Sequence, residues 1–312
     1  MSIRSATFEC EVITPMFLAG AEQRRAEGVE FRIPSLRGAL RWWFRALAGG
    51  LIGGNIEKLA ELESNLLGGS GERAGQSRIL FRTSTLIEKS AVNNFSPLPH
   101  RDGSRFFFSG IKPGTIIQFT LTSNPHYKEE AYFDATLDVL RVTWLLGGIG
   151  RRSRRGFGAF QPVNESFSTL KHLEKFISEA IVQARKRLGD VSGYSHSGTA
   201  EQAEFPTISR ETCSISIGKE YDSWENLVKD VMKNIHEGTK SGKISKKIIG
   251  SANPRQGSSL IITAKNLLNR KIVPVFTLFL TRTVSGTITE EEWEKAREFI
   301  KESFRTEGIS FH

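Results

Sequence analysis

The sequence predicts an α+β fold built from two βαββαβ units in tandem, with insertions. The chain of 312 residues is long for a single core and suits two domains of roughly 150 residues each. Up to residue 163, segments with strand-like and helical periodicity follow one another as strand, helix, strand, strand, helix, strand. The remainder permits the same order with one extra helix.

The first unit, residues 1–163, begins with an alternating apolar pattern of Phe8, Cys10 and Val12 that is typical of a half-buried strand. Pro34 and Ser35 indicate the start of a helix that ends near Gly49. The further predicted elements are strands at 29–33, 78–87, 115–121 and 156–163, and helices at 55–67 and 132–146.

The second unit, residues 164–312, starts with a long amphipathic helix over residues 166–188. Thr289 and Glu292 have the spacing of a capping box at the start of the last helix. The other predicted elements are a helix at 223–236 and strands at 212–217, 259–264, 273–281 and 308–311. This repeated order is that of two ferredoxin-like (RRM-like) domains.

Composition favours an acidic partner. The formal net charge is +9 and the sequence pI is about 9.6, and 17 arginines precede residue 164 whereas 8 follow it. Arginine suits bidentate phosphate contact and stacking on bases. The apolar runs are too short for a membrane helix, and the N-terminus lacks a signal peptide, so we expect a cytoplasmic protein without membrane contact.

The residues from Gly147 to Phe160 read GGIGRRSRRGFGAF and form the most informative segment. Glycine lets the backbone approach a partner closely, and arginine presents a planar fork of donors to phosphate oxygens. The segment contains no acidic residue that would indicate surface ion pairs. We therefore predict that this arginine-glycine loop, residues 147–158, binds RNA through Gly148, Gly150, Arg151, Arg152, Arg154, Arg155 and Phe157.

The first long helix carries a second arginine row. On a helical wheel Leu36, Leu40, Trp43, Phe44 and Leu47 form the core face, and the row at its edge consists of Arg37, Arg41 and Arg45. No acidic residue lies three or four positions from these arginines. Two roles stay open for them, namely RNA contact and hydrogen bonding to the carbonyls of the loop. Trp42 faces away from the core, where it either stacks on a base or packs on another element.

A second basic loop is predicted at residues 237–257, with Lys246, Lys247 and Arg255 as candidate RNA contacts. Catalytic signals are nearly absent, because the sequence has two cysteines, no zinc motif and no pair of aspartates typical of a two-metal site. We expect no metal, no cofactor and no small-molecule substrate. His100 is the one weak catalytic candidate, as the general acid or base of a metal-independent crRNA-processing endoribonuclease.

Three motifs together resemble a known family. They are TPMF at residues 14–17, IPSLRGALRWWFRAL at residues 33–47 and the arginine-glycine loop, and ANPRQGSS at residues 252–259 is similar to a weaker motif of the second domain. The chain thus resembles the RAMP superfamily of CRISPR proteins, and within it the first subunits of type III-B (Cmr) effector complexes.

The resemblance implies two ferredoxin-like domains and a place in a multi-subunit ribonucleoprotein of antiviral defence. It implies contact with crRNA and single-stranded target RNA near the 3′ end of the guide, and with other Cmr subunits. It also implies that target cleavage belongs to another subunit, so this chain is expected to be non-catalytic.

Overall fold

The computed structural model describes residues 3–20, 28–52, 55–69, 75–100, 106–127, 130–193, 205–253 and 255–311. The elements up to residue 163 are β1 (Ser5–Val12), α1 (Ile33–Gly49), α2 (Ile56–Leu67), β2 (Ile79–Thr83), β3 (Val92–Phe95), β4 (Phe108–Ile111), β5 (Ile116–Ser123), α3 (Glu130–Leu146) and β6 (Phe160–Pro162). None of the helices in these ranges or later in the described chain is long and apolar enough to cross a membrane.

The elements after residue 163 begin with a long helix and include two hairpins of two-residue strands. They are α4 (Leu170–Ser192), β7 (Cys213–Ile217), α5 (Trp224–Lys240), α6 (Lys246–Ile249), β8 (Ser251–Ala252), β9 (Arg255–Gln256), β10 (Leu260–Asn266), β11 (Ile272–Phe279), β12 (Arg282–Thr283), β13 (Gly286–Thr287), α7 (Glu290–Phe304) and β14 (Glu307–Gly308). The chain is therefore an α+β protein, as predicted.

Two four-stranded antiparallel sheets organise the fold. The first has the order β2-β5-β1-β6 and the second the order β10-β11-β7-β14. When the hairpins β3–β4, β8–β9 and β12–β13 are set aside, both sheets follow the same path of second, third, first and fourth strand.

The second sheet is covered on both faces. Every residue of β11 is buried and only Asn266 of β10 is partly exposed. Ile261, Val275 and Phe279 belong to a core that includes α1, α3 and α4, whereas Ile262 and Phe276 belong to a core with α5 and α7. The helices that cover the first sheet thus also cover the second, and one apolar core continues past residue 163. The division into units 1–163 and 164–312 stays a prediction.

The helix predictions are confirmed at two points, since all five core-face residues predicted for α1 are buried and the capping box of Thr289 and Glu292 is present.

The strand predicted at residues 29–33 is wrong. Val29 and Phe31 are buried there, but no strand pairs with them and α1 already begins at Ile33. Alternating burial of side chains does not require a hydrogen-bonded neighbour. The closing strand at 308–311 is shorter and earlier than predicted, as β14.

Lys265 lies buried where the two sheets meet. Its Nζ donates to the carbonyl of Phe160 on β6 (3.1 Å) and lies 5.4 Å from the ring centroid of Trp144. Burial lowers the pKa of this amine to about 7, and the facing thiol of Cys10 has its pKa raised to about 12 by burial. Taking an ammonium group out of water is expensive, which favours the neutral amine.

Replacing Lys265 should change how stability depends on pH. Between about pH 7 and the ordinary lysine pKa of 10.5 the unfolded chain binds a proton that the folded chain does not. Lys265 should therefore contribute a rise in stability across this window of up to about 1.4 kcal/mol per pH unit. In Lys265→Met this contribution should vanish, as measured by urea unfolding at several pH values. Parallel curves for the two proteins would contradict it.

Candidate nucleic-acid interface

The arginine-glycine loop lies between α3 and β6, where the sequence places it, and its backbone is packed tightly. The N–H of Arg151 donates to the carbonyl of Phe17 (3.0 Å), and the N–H of Ile149 donates to that of Gly158 (2.9 Å). Gly150 has a φ of +95°, and a Cβ there would lie 2.6 Å from the Phe17 oxygen. A Cβ on Gly148 would lie 2.8 Å from a loop carbonyl. These two glycines allow the loop to pack against its own protein.

Two of the four loop arginines bind carbonyl groups of the second half of the chain. Arg154 Nη1 donates to the carbonyl of Ser258 (2.7 Å), and Arg155 Nη2 donates to that of Ile249. Burial lowers the pKa of both guanidinium groups, that of Arg155 to about 10, where the charges of Arg152 and Arg154 contribute further. Arg154 and Arg155 therefore fasten the loop in place.

An open groove of about 1040 Å³ runs between the loop and the β8–β9 hairpin. Arg151 and Arg255 are exposed there and Arg152 is partly exposed, while Gly250 and Gly257 leave backbone accessible opposite them. Of the lining residues that the structure describes, none is a carboxylate. This arginine groove, defined by Arg151, Arg152, Arg154, Arg155 and Arg255, is a concentrated positive surface suited to a polyanion.

The arginine row of α1 does not line the arginine groove. Arg37 and Arg41 donate to the Leu67 carbonyl at the end of α2 (2.6 and 2.7 Å), and Arg41 and Arg45 both bind the buried carboxylate of Glu63. They thus bond neither the loop nor the groove. The sequence search missed Glu63 because it tested acidic residues within one helix, whereas this one comes from the neighbouring helix.

Glu63 is an internal counter-ion. Burial alone would raise the pKa of this carboxyl group, but the guanidinium groups of Arg45 and Arg41 outweigh burial and hold the pKa below its ordinary value. The carbonyls at the end of α2 also carry the negative end of the helix dipole, which favours cations there. Arg37, Arg41 and Arg45 therefore join α1 to α2, and the RNA contact predicted for them stays a prediction.

The two aromatic residues predicted to stack on bases are engaged inside the protein. Phe157 is 1% exposed and packs on Phe17, with ring centroids 5.0 Å apart, so its predicted role is wrong. Trp42 packs edge-on against Phe279 (5.6 Å), and the guanidinium of Arg154 lies 5.0 Å from its ring centroid. Trp42 thus supports Arg154, in line with the alternative of packing on another element.

Two other predicted RNA contacts, Lys246 and Lys247, and the catalytic candidate His100 lie outside the groove lining. Lys247 Nζ binds Glu292 of α7 (3.2 Å), and Lys246 is exposed on α6. The ring of His100 lies 5.1 Å from that of His236 on α5. The described residues contain no group of three or more side chains that could hold a metal ion.

Sequence reasoning missed two exposed aromatic side chains, Phe106 and Phe107, next to β4. Phe106 and Phe107 are each 54% exposed at the start of β4. The rings of Phe106 and Phe108 pack together with their centroids 4.8 Å apart. The guanidinium of Arg151 lies 5.3 Å from the ring centroid of Phe108. The run of three phenylalanines at 106–108 is visible in the sequence, but its exposure depends on the hairpin β3–β4, which was not predicted.

A mostly antiparallel α+β chain whose arginine-lined groove has no carboxylate among its described lining residues has the features of a nucleic-acid-binding protein. The RAMP superfamily model matches residues 9–161. The Cmr1-2 subunit of the CRISPR Cmr system of Pyrococcus furiosus is 32% identical over 182 residues, which cover 50% of this chain and 94% of that protein. The chain belongs to the RAMP superfamily, in the family of Cmr1 subunits.

A second relative and two solved structures are also similar to this chain. The Cmr1-1 subunit of P. furiosus is 32% identical over 204 residues, which cover 60% of this chain and 57% of that protein. The crystal structure of apo Cmr1 from P. furiosus matches with a TM-score of 0.68 at 18% identity, covering 100% and 99% of the two chains. A chain of the type III-B Cmr-β complex bound to cognate target RNA and AMPPnP, in the presence of ssDNA, matches with a TM-score of 0.58 at 10% identity, covering 95% and 98% of the two chains.

The packing of Gly150 predicts a stability loss that a second glycine controls. Gly150→Ala forces a Cβ against the Phe17 carbonyl, whereas Gly242 has a φ of +75° with nothing within 4 Å of a built Cβ. Gly242→Ala should therefore cost only the strain of positive φ, about 1–2 kcal/mol. Gly150→Ala should cost about 1–3 kcal/mol more through overpacking, as measured by chemical denaturation. Equal losses of unfolding free energy in the two variants would show that the loop moves away from the Phe17 carbonyl at no cost.

Proposed function

We propose that this chain is a non-catalytic RNA-binding subunit of a type III-B Cmr effector complex. In this proposal the arginine groove holds the sugar-phosphate backbone of crRNA or single-stranded target RNA near the 3′ end of the guide. The observation that carries it is the groove itself, in which Arg151, Arg152 and Arg255 converge without a lining carboxylate among the described residues. Guanidinium forks match the geometry of phosphate oxygens and bind them bidentately.

Family membership supports this proposal. The relatives are named as subunits of the Cmr system, and two structures of similar fold come from Cmr-β bound to target RNA. The shared strand order of the two sheets supports the further proposal that each half, residues 1–163 and 164–312, is a ferredoxin-like unit. The groove then lies between the units, because the loop comes from the first and the β8–β9 hairpin from the second.

Binding without cleavage fits the position of the histidines. An RNA-cleaving histidine needs to reach the scissile phosphate or the 2′-OH. No histidine lines the groove in the described part of the chain, and His100 packs instead on His236. The endoribonuclease alternative therefore has no supporting observation. Incubating the chain with repeat RNA in chelator should yield no site-specific product.

We further propose that Phe106 and Phe107 stack on unpaired bases. Both side chains are exposed, and Phe106 packs on Phe108, whose ring lies against Arg151, so a backbone held in the groove would bring its bases close to this aromatic surface. Base-aromatic stacking tolerates any sequence because every base has a π-face. Phosphate contact and stacking would then come from adjoining surfaces.

Removing the two exposed groove arginines should weaken RNA binding in a salt-dependent way. Arg151→Gln with Arg255→Gln should lower the slope of log K against log salt by about 1.4, since each lost phosphate contact on a single strand accounts for about 0.7. Lys229→Gln with Lys233→Gln, two exposed residues of α5, removes the same charge away from the groove and should leave the slope nearly unchanged. Equal slopes for both double variants would reject the groove as the RNA site.

Removing the aromatic pair should weaken binding without changing the salt slope. Phe106→Ala with Phe107→Ala should cost about 1–3 kcal/mol of binding free energy for each base that stacks. Leu86→Ala, a change at a side chain that is 91% exposed, serves as the control. Titration of fluorescent single-stranded RNA at several salt concentrations separates the two effects. An unchanged affinity would remove the stacking role and leave the arginine groove.

A further inference from the structure

A second concave surface lies between α1 and α2, outside the arginine groove. This α1–α2 cleft has a volume of about 590 Å³, and its walls include Trp42, Arg45, Ile56, Ala60, Phe205 and Pro206. On α2 the lining residues Ile56, Leu59, Ala60 and Glu63 follow helical spacing along one face. The cleft is therefore a continuous trough along a helix and not a local dent.

The cleft has an apolar side that faces solvent. Ile56 is 55% exposed in the first turn of α2, and Ala60, one turn later, is also exposed. Phe205 and Pro206 are only partly buried on the opposite wall. Apolar side chains gathered in a concave surface mark binding sites more often than isolated exposed residues do.

The charge of the cleft is unbalanced. Among the described lining residues Glu63 is the only carboxylate, and it is shared by Arg41 and Arg45. Arg45 uses Nε and Nη2 for Glu63, and its side chain remains 52% exposed. No hydrogen bond from its Nη1 to another described residue is present. One guanidinium edge is thus available to an anion beside the apolar wall.

We infer that the α1–α2 cleft binds an acidic, apolar segment of a partner protein. A carboxylate of that segment would meet the outer edge of Arg45, and a neighbouring aliphatic or aromatic side chain would lie between Ile56 and Phe205. A peptide fits better than RNA, because the described lining residues carry a net charge of only +1, with a carboxylate at the base of the cleft and mostly apolar walls. The arginine groove, by comparison, has several arginines and no described carboxylate in its lining.

The test uses the full chain and a defined probe. The probe is a fluorescein-labelled peptide of twelve residues in which Glu alternates with Leu and Phe, and the comparison peptides replace every Glu by Gln or by Lys. Fluorescence anisotropy should show saturable binding of the Glu peptide at least about tenfold tighter than of either comparison peptide, since 1.4 kcal/mol corresponds to a factor of ten.

Two matched variants locate the binding. Ile56→Glu puts a carboxylate into the apolar wall and should weaken the Glu peptide at least about tenfold, with RNA affinity unchanged. Leu86→Glu makes the same exchange at another exposed position and should leave peptide binding intact. Thermal unfolding of both variants close to that of the native chain would show that they fold.

Several outcomes would overturn the inference. These are absent or non-saturable binding of the Glu peptide, equal binding of the Gln peptide, and equal losses in Ile56→Glu and Leu86→Glu. Competition by single-stranded RNA together with weaker RNA binding by Ile56→Glu would assign the cleft to RNA. A chain that binds the peptide through Ile56 but fails to bind RNA would leave this inference standing and reject the proposed function instead.

Discussion

The arginine-glycine loop is held against the second half of the chain by hydrogen bonds to carbonyl groups of that half. The N–H of Gly156 donates to Ile262 on β10 (2.9 Å), and Arg154 and Arg155 donate to Ser258 and Ile249. Burying a guanidinium group is expensive unless its donors find acceptors, so these carbonyls set where the loop lies. The arginine groove has one wall from each half, and its shape therefore depends on this contact.

The same chemistry recurs between the first two helices. Arg41 and Arg45 converge on Glu63, and Arg37 binds the end of α2. In this chain, whose net charge is +9, some of the arginines thus bind other elements of the same protein. High arginine content by itself therefore does not define a nucleic-acid-binding surface. What distinguishes the groove is that Arg151 and Arg255 remain exposed opposite each other without a lining carboxylate among the described residues.

The sequence predicts local features well and long-range partners poorly. Helical periodicity identified the buried face of α1, and the spacing of Thr289 and Glu292 identified a cap, because both depend on residues a few positions apart. The partner of Arg154 is 104 positions away, which no local pattern reveals. Phe157 was predicted to bind RNA as part of the loop, but it is buried against Phe17, which comes from another segment.

Trp42 shows how the core and the surface are coupled. One edge of its ring packs on Phe279 of the second sheet, and its face supports the guanidinium of Arg154. Arg154 in turn lies so close to Gly257 that a Cβ there would be 2.7 Å from Nη1. A planar guanidinium can stack on an indole and donate to a carbonyl in its own plane, whereas a lysine ammonium has no such planar face. The requirement for arginine at this position therefore follows from the contact between the two halves, independently of any RNA contact.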